Sequence, residues 1–339
     1  MTRKTFRNQI TSPELWEQVN ADTKKLVARF LKEKSMRSSD GTVAGYESDL
    51  HIFLIWNLLE NDNKHFTEIR KIEFSDFFSY AIENLKWGSS RFSRMKSVLS
   101  SFSNFIEKYF DESYKDFRNQ ILKSVESLPK NAVREKTILS EEQVNYIFSK
   151  LKENNEIQIA CWFALAIASG SRFAELLRFT VDNIDENNLV FGDIFIETNR
   201  AIRTKGRGRA GKLLKKYIVK DMFLPYYKVW LEERAKILKK NNKEHDFIFI
   251  KENGDPATEY VARYWISKIE EYLDGIPFYP HSCRHYCTTL LSKLGLPYNL
   301  IKEIYGWQDI SMVSIYDDTE AKDKDWKELN NLKEKLQKK

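Results

Sequence analysis

The chain has 339 residues, 42% hydrophobic and 31% charged, the balance of a folded globular protein with room for two domains and not of a disordered one. Its formal net charge of +6 permits a polyanionic partner without requiring one. The apolar run that ends at Ala168 is far too short for a membrane span, and the opening MTRKTFRNQI lacks the apolar core of a signal peptide, so a cytoplasmic protein is expected.

Residues 1–40 are polar, with one basic amphipathic helix. Leu26, Val27, Phe30 and Leu31 share a face, and Lys24, Lys25, Arg29, Lys32 and Lys34 line much of the remainder. Residues 41–125 predict a helical bundle. Thr42 to Leu59 carries Tyr46, Leu50, Phe53, Leu54 and Leu58 on one stripe. Phe74 to Leu85 predicts a second helix, with Ser75 and Asp76 near its start. Ser89 to Tyr109 predicts a third, with Phe92, Met95, Leu99, Phe102, Phe105, Ile106 and Tyr109 at three- and four-residue steps. Its opposite face carries Arg91, Arg94 and Lys96. Residues 126–138, ESLPKNAVREKTI, break the periodicity and predict a linker. Ser140-Glu141-Glu142-Gln143 is a capping box that opens the next helix.

In the second half, Glu156 to Ala168 predicts a mostly buried helix. Gly170 then marks a turn, and Arg172 opens another helix with Glu175 one turn on. Asp193 to Thr198 alternates apolar and polar and predicts a strand; Leu213 to Val219 is a weaker one. Between them RAIRTKGRGRAGK predicts a glycine-rich hairpin tip. From Arg200 to Lys220 the chain holds nine basic residues and no acidic one, either a solvated surface or a hairpin that enters a groove and contacts phosphates. Asp221 to Lys240 predicts a helix, Phe247 to Ile250 a short strand, and Thr258 to Leu273 a helix with Tyr260, Tyr264, Trp265 and Ile269. Pro277 and Pro280 break the chain just before His281. Trp326, Leu329, Leu332 and Leu336 mark an amphipathic tail helix.

Three cysteines, Cys161, Cys283 and Cys287, make no disulfide framework. His281, Cys283, His285 and Cys287 alternate, but a helix turns alternate positions by about 200°, so they do not converge on one metal ion. Neither a P-loop nor a dinucleotide fingerprint is present, so no ATP or NAD cofactor is implied.

Four residues of the stretch from His281 to Tyr316 suit an anionic group. His281 and Arg284 share a helix face. Arginine offers a planar fork that matches phosphate, Trp307 one indole N–H, and Tyr316 a hydroxyl that can act as nucleophile. The order H-x-x-R-H, then Gly306-Trp307, then a tyrosine nine residues later, resembles the tyrosine recombinase (phage integrase) family. Gly170-Ser171-Arg172-Phe173-Ala174-Glu175-Leu176 resembles that family's first box. The T-x-x-x-Y opening at Thr42 and the Phe-rich third helix resemble its N-terminal core-binding domain.

The resemblance implies a mainly α fold with a small antiparallel β-sheet. Its parts are an extension with a basic helix (1–40), a helical, SAM-like core-binding domain (41–125), the linker lying along DNA (126–138), an α+β catalytic domain (139–320) and a tail helix (321–339). It implies a site-specific DNA recombinase that cleaves and rejoins DNA through a 3′-phosphotyrosine, with neither metal nor cofactor. Arg172 and Arg284 would neutralise the phosphate, Trp307 add a donor and exclude water, Tyr316 attack, and His281 handle its proton. The family's catalytic lysine sits on the hairpin; Lys205, in Arg-Thr-Lys-Gly, is the choice and Lys212 the second. Glu175 would orient its neighbours, and His285 would be a supporting partner or a buried structural histidine. Arg91, Arg94, Lys96, Arg203, Arg207, Arg209 and Lys212 are the DNA-contact candidates. Partners implied are double-stranded DNA sites and further copies of the chain, a dimer on each site and a tetramer in the synapse, with the tail exchanged in trans. A type IB topoisomerase-like strand transferase and a catalytically silent DNA-binding protein are the alternatives.

Overall fold

The computed structural model describes residues 10–121, 125, 126, 128, 138–206 and 211–319. Most of the linker, the tail, Arg207 and Arg209 lie outside the described residues. The chain divides into two compact units, one within residues 3–135 and one built from residues 136–205 and from 212 onward.

Among the described residues the first unit has helices and no strand: α1 (Pro13–Gln18), α2 (Ala21–Arg37), α3 (Asp40–Glu60), α4 (Lys71–Glu83) and α5 (Ser89–Tyr109). Its core is aromatic. Phe53 of α3 stacks on Phe74 at 5.5 Å and meets Phe77 edge-on at 4.9 Å. Leu26, Val27 and Phe30 of α2 enter the same core, so the basic helix of the extension is packed into the bundle. The second helix starts earlier than Ser75 and Asp76 suggested. Glu73 accepts the Arg70 backbone N–H at 2.8 Å and also pairs with Lys64 and the Arg70 guanidinium, which sets the helix start at Lys71.

The second unit opens with α6 (Glu141–Glu153), started by the capping box: Ser140 Oγ accepts from Gln143 N–H at 3.2 Å, and Gln143 returns the bond at 2.9 Å. Next comes α7 (Ile157–Ser169), buried at every position from Ile159 onward. It is apolar all round because other helices enclose it: α9 (Lys220–Lys240) and α11 (Pro280–Lys293) both pack against it. The remaining helices are α8 (Phe173–Leu176), α10 (Glu259–Tyr272), α12 (Tyr298–Tyr305) and α13 (Ser311–Tyr316).

The strands are shorter and more divided than the alternation suggested. The antiparallel sheet runs β1 (Leu189–Val190), β2 (Phe195–Glu197), β5 (Tyr217–Val219), with Ile196 opposite Ile218. A separate two-stranded ribbon pairs β3 (Ile202–Thr204) with β4 (Lys212–Leu214). The expected strand from Leu213 to Val219 is thus split at Lys215 and Lys216, and its halves pair with different partners. The expected strand from Phe247 to Ile250 makes only isolated bridges, Thr180 to Phe247 and Ile250 to Pro256. Among the described residues no helix is long and apolar enough to cross a membrane.

Phe53 is fully buried and touches four aromatic rings. Phe53→Ala should lower the unfolding free energy by about 3–5 kcal/mol, read as a fall in the urea midpoint at unchanged slope.

Candidate active site

The site begins where α7 stops. Gly170 ends the helix in the left-handed region at φ 54°, and its N–H bonds Ala166 C=O at 3.0 Å. A Cβ here would lie 2.6 Å from the Tyr305 hydroxyl, so glycine is required for space as well as for conformation. The turn delivers Arg172 to the start of α8. The Arg172 backbone N–H and Nη1 both donate to Glu175, at 3.2 and 2.9 Å. Glu175 is buried, and its Oε2 also accepts Lys216 Nζ at 2.7 Å. Lys216 is held at its backbone by Thr198: its N–H donates to Thr198 Oγ1 at 2.9 Å, and its C=O accepts the Thr198 N–H at 2.9 Å.

The second arginine comes from α11, which starts at Pro280, a residue whose fixed φ suits the first helical position. Arg284 is only 2% exposed. Its Nη1 donates to the Gly170 carbonyl at 2.9 Å, while Nε and Nη2 have no hydrogen-bond partner among the described residues. The guanidinium lies over three rings: Tyr305 at 4.5 Å, Trp307 at 4.8 Å and Tyr316 at 5.3 Å. Trp307 is buried, and its indole N–H also lacks a partner among the described residues. Gly306, at φ 62°, turns the chain into Trp307, where a Cβ would lie 2.5 Å from Leu214 Cδ1 of β4.

Tyr316 ends α13 half-buried in this cluster. Its ring stacks on Trp307 at 5.2 Å, with His285 at 4.8 Å and His281 at 6.3 Å. The two residues after it anchor it. Asp317 accepts from Ser292 Oγ at 2.8 Å and from the Tyr298 hydroxyl. Asp318 pairs with His285 Nδ1 at 2.7 Å and donates its N–H to Thr289 Oγ1 at 2.9 Å. Burial alone would raise the Asp317 carboxyl, but hydrogen bonds from Thr319, Tyr298 and Ser292 outweigh it and hold the group at about 2.

The electrostatics favour an incoming anion. Burial lowers the His281 imidazole below its ordinary range, and Arg284, Arg172, His285 and Lys205 lower it further, so near neutral pH it is a free base able to take a proton. Arg172 and His281 share a cleft of about 140 Å³ with Phe173, Arg263, Ile266 and Pro280.

Arg172, His281, Arg284, Trp307 and Tyr316 are therefore drawn to one place, with Glu175 behind Arg172 and His285 beside Tyr316. Lys205 is exposed just after β3 and belongs to the cations that act on His281. Lys212 is exposed on β4. Arg203 is exposed on β3, with its carbonyl taken by Arg178 Nη1 at 2.6 Å. In the first unit Arg91 and Arg94 both pair with buried Asp49, and Lys96 donates to the Val125 carbonyl, so these three do not form a free basic face. Among the described residues no group of three or more His, Cys, Asp or Glu could hold a metal; Cys283 and Cys287 are buried thiols whose pKa burial raises. Sequence reasoning missed Lys216. The signal was its parity with Ile218, both facing inward, inside a tract that read as uniformly solvated.

The model of the phage integrase family matches residues 137–323, more than half of the chain. The SPbeta prophage-derived recombinase-like protein YomM of Bacillus subtilis (strain 168) is 28% identical over 309 residues, covering 87% of this chain and 88% of that protein. The tyrosine recombinase XerC of Oceanobacillus iheyensis is 25% identical over 296 residues, covering 82% and 86%. Among solved structures, the XerH site-specific recombinase bound to its palindromic difH substrate in a post-cleavage complex gives a TM-score of 0.66 at 14% identity, covering 89% of this chain and 93% of that one. A lambda integrase dimer bound to a core site gives 0.62 at 15% identity, covering 88% and 96%. These chains share the fold.

The buried charges make a pH prediction. Burial would raise the Glu175 carboxyl, but Lys216 and Arg172 outweigh it and hold it at about 2. An unfolded glutamate titrates at about 4.3. The folded value is the lower, so this carboxylate contributes stability that is present above about pH 4.3 and lost as pH falls through about 2. Across that window the wild-type protein should lose roughly 3 kcal/mol more than Glu175→Gln. Urea midpoints against pH check this, and parallel profiles contradict it.

Proposed function

The chain belongs to the phage integrase family, and from that premise we propose that it is a tyrosine site-specific recombinase, which cleaves and rejoins DNA through a 3′-phosphotyrosine link. The observation that carries the reading is Arg284: a buried guanidinium with two donors unpaired among the described residues, lying against the ring of Tyr316.

A phosphodiester resists attack because its anionic oxygens repel the nucleophile. Arg172 and Arg284 neutralise the charge that builds on the non-bridging oxygens, and the open Trp307 N–H adds one more donor. Tyr316 Oη forms a bond to phosphorus as the bond from phosphorus to the 5′ oxygen breaks. The phenol proton passes to neutral His281, and exposed Lys205 protonates the departing 5′ oxygen. The phosphotyrosine conserves the energy of the broken bond, so a 5′-hydroxyl from another strand reverses the step without ATP. The arginines carry the charge that a divalent cation carries in other phosphoryl-transfer sites.

The substrate is double-stranded DNA, and copies of the chain assemble on it. In support, a lambda integrase tetramer bound to a Holliday junction shares this fold, with a TM-score of 0.61. Arg203 and Lys212 of the ribbon contact DNA phosphates, as do Arg207 and Arg209, which lie outside the described residues, and residues 41–125 act as the core-binding domain. Arg91 and Arg94, tied to Asp49, contribute through the part of their side chains that stays exposed. A DNA substrate fits a cytoplasmic location.

Two experiments test the reading. Covalent complexes are trapped by denaturant on native DNA, and sequencing the attached 3′ ends gives the site, which is then built into a nicked suicide duplex. Wild-type protein should accumulate an adduct that Tyr316→Phe does not form; strand exchange between two duplexes then separates a recombinase from a topoisomerase. We further propose that the tail, residues 321–339, docks on a neighbouring copy. Removing residues 323–339 should weaken joining of two sites by at least about tenfold while changing single-site affinity less than about threefold. Unchanged joining in a two-site gel-shift assay counts against that exchange.

A further inference from the structure

Lys216 is the cation that the cleavage chemistry leaves idle. Its side chain is 7% exposed and that of Glu175 is 2%, whereas that of Arg172 is 32%. Lysine is a costly residue to bury, because its compact ammonium is strongly hydrated. Burial here lowers its pKa, Glu175 opposes that shift, and Arg284 and Arg172 add to it.

We propose that Lys216 is a positioning residue for strand cleavage: its ammonium fixes the Glu175 carboxylate, which in turn fixes the Arg172 guanidinium for the scissile phosphate. The inference rests on the recombinase reading and extends it by one residue.

The geometry gives each oxygen of Glu175 a separate task. Oε1 takes Arg172 Nη1 at 2.9 Å, and Oε2 takes Lys216 Nζ at 2.7 Å together with the Arg172 backbone N–H at 3.2 Å. A carboxylate and a guanidinium left alone prefer a two-pronged fork, which would use two Arg172 donors. With Oε2 occupied by Lys216, Arg172 gives up one side-chain donor and keeps the rest for substrate. Lys216 itself cannot drift. Thr198, buried and adjoining β2, grips both its backbone N–H and its C=O. The sheet therefore sets the ammonium, the ammonium the carboxylate, and the carboxylate the arginine. The charge count agrees: Arg172, Arg284 and Lys216 surround a single carboxylate, which leaves about two positive charges for the doubly charged phosphorane-like transition state.

Lys216 is poorly placed as the proton donor to the 5′ oxygen. Its ammonium is enclosed and committed to Glu175, whereas Lys205 is exposed.

The test uses the full-length protein and its suicide duplex, made with either oxygen or sulfur at the bridging 5′ position. A thiolate leaves without protonation, so the sulfur substrate spares a general acid and nothing else. Lys216→Met should slow single-turnover adduct formation by about a hundredfold on both substrates, with affinity for the nicked duplex within about threefold of wild type. Lys205→Ala, in contrast, should be slow on oxygen and recover on sulfur. Recovery of Lys216→Met on sulfur would make Lys216 the acid and overturn the proposal, as would a rate within about threefold of wild type on oxygen. If the methionine variant does not melt cooperatively, Lys216→Gln, which keeps a hydrogen bond to Glu175 but loses the charge, is read against the same limits. Failure of wild-type protein to form any adduct would instead reject the recombinase reading itself.

Discussion

A guanidinium buried with donors to spare is the constraint on which the rest of this structure turns. Taking a charge out of water costs several kcal/mol unless partners replace the solvent. Arg284 has a single hydrogen-bond partner among the described residues, the Gly170 carbonyl, and three aromatic faces. A cation over a ring gains only about 0.5–2 kcal/mol, so the compensation is partial. On the proposed reading, the scissile phosphate of the DNA completes it. The guanidinium keeps two donors without a hydrogen-bond partner among the described residues, and the Tyr316 ring lies 5.3 Å from it.

The neighbouring features follow from holding that arrangement still. Two left-handed glycines, Gly170 and Gly306, bring their chain segments close enough that a methyl group would collide with Tyr305 or with Leu214. The apolar helix α7 ends where the carbonyl of its capping residue, Gly170, can reach Arg284, and its enclosure by α9 and α11 fixes that end. On the other side, Asp317 and Asp318 tie the residues after the tyrosine to Ser292, Thr289 and His285 of α11, the helix that also carries Arg284. Tyr316 and Arg284, the nucleophile and the charge-neutralising group of the proposed reaction, are thus referenced to one rigid element, the condition for a preorganised site.

Much of this was legible in the sequence. The stripes of α3 and α5 gave the bundle because three- and four-residue spacing has one physical meaning. The capping box gave the start of α6 because its two hydrogen bonds are local. The spacing of His281, Arg284, Trp307 and Tyr316 pointed to four side chains that the fold brings together. What escaped depends on partners distant in the chain. The start of α4 is set by Glu73, whose pairing with Lys64 no local pattern shows. The strand from Leu213 to Val219 divides because Lys216 turns inward to Glu175, 41 residues earlier. Arg91 and Arg94 looked like a free basic face because their partner, Asp49, lies on another helix and is buried. Charged residues read as surface until the fold supplies partners, and Glu175, Asp49 and Glu73 are three places in this chain where it does.

The central claim is that Arg284 acts through the charge of the phosphate, and a substrate with that charge removed tests it. A methylphosphonate at the scissile position replaces one anionic oxygen with a neutral methyl group while leaving phosphorus open to attack. Arg284→Ala should form no adduct on the ordinary duplex and should regain adduct formation on the methylphosphonate duplex, because the neutral centre no longer needs the guanidinium. If the folded variant is equally inactive on both duplexes, Arg284 serves the site by packing alone, and charge neutralisation is not its role.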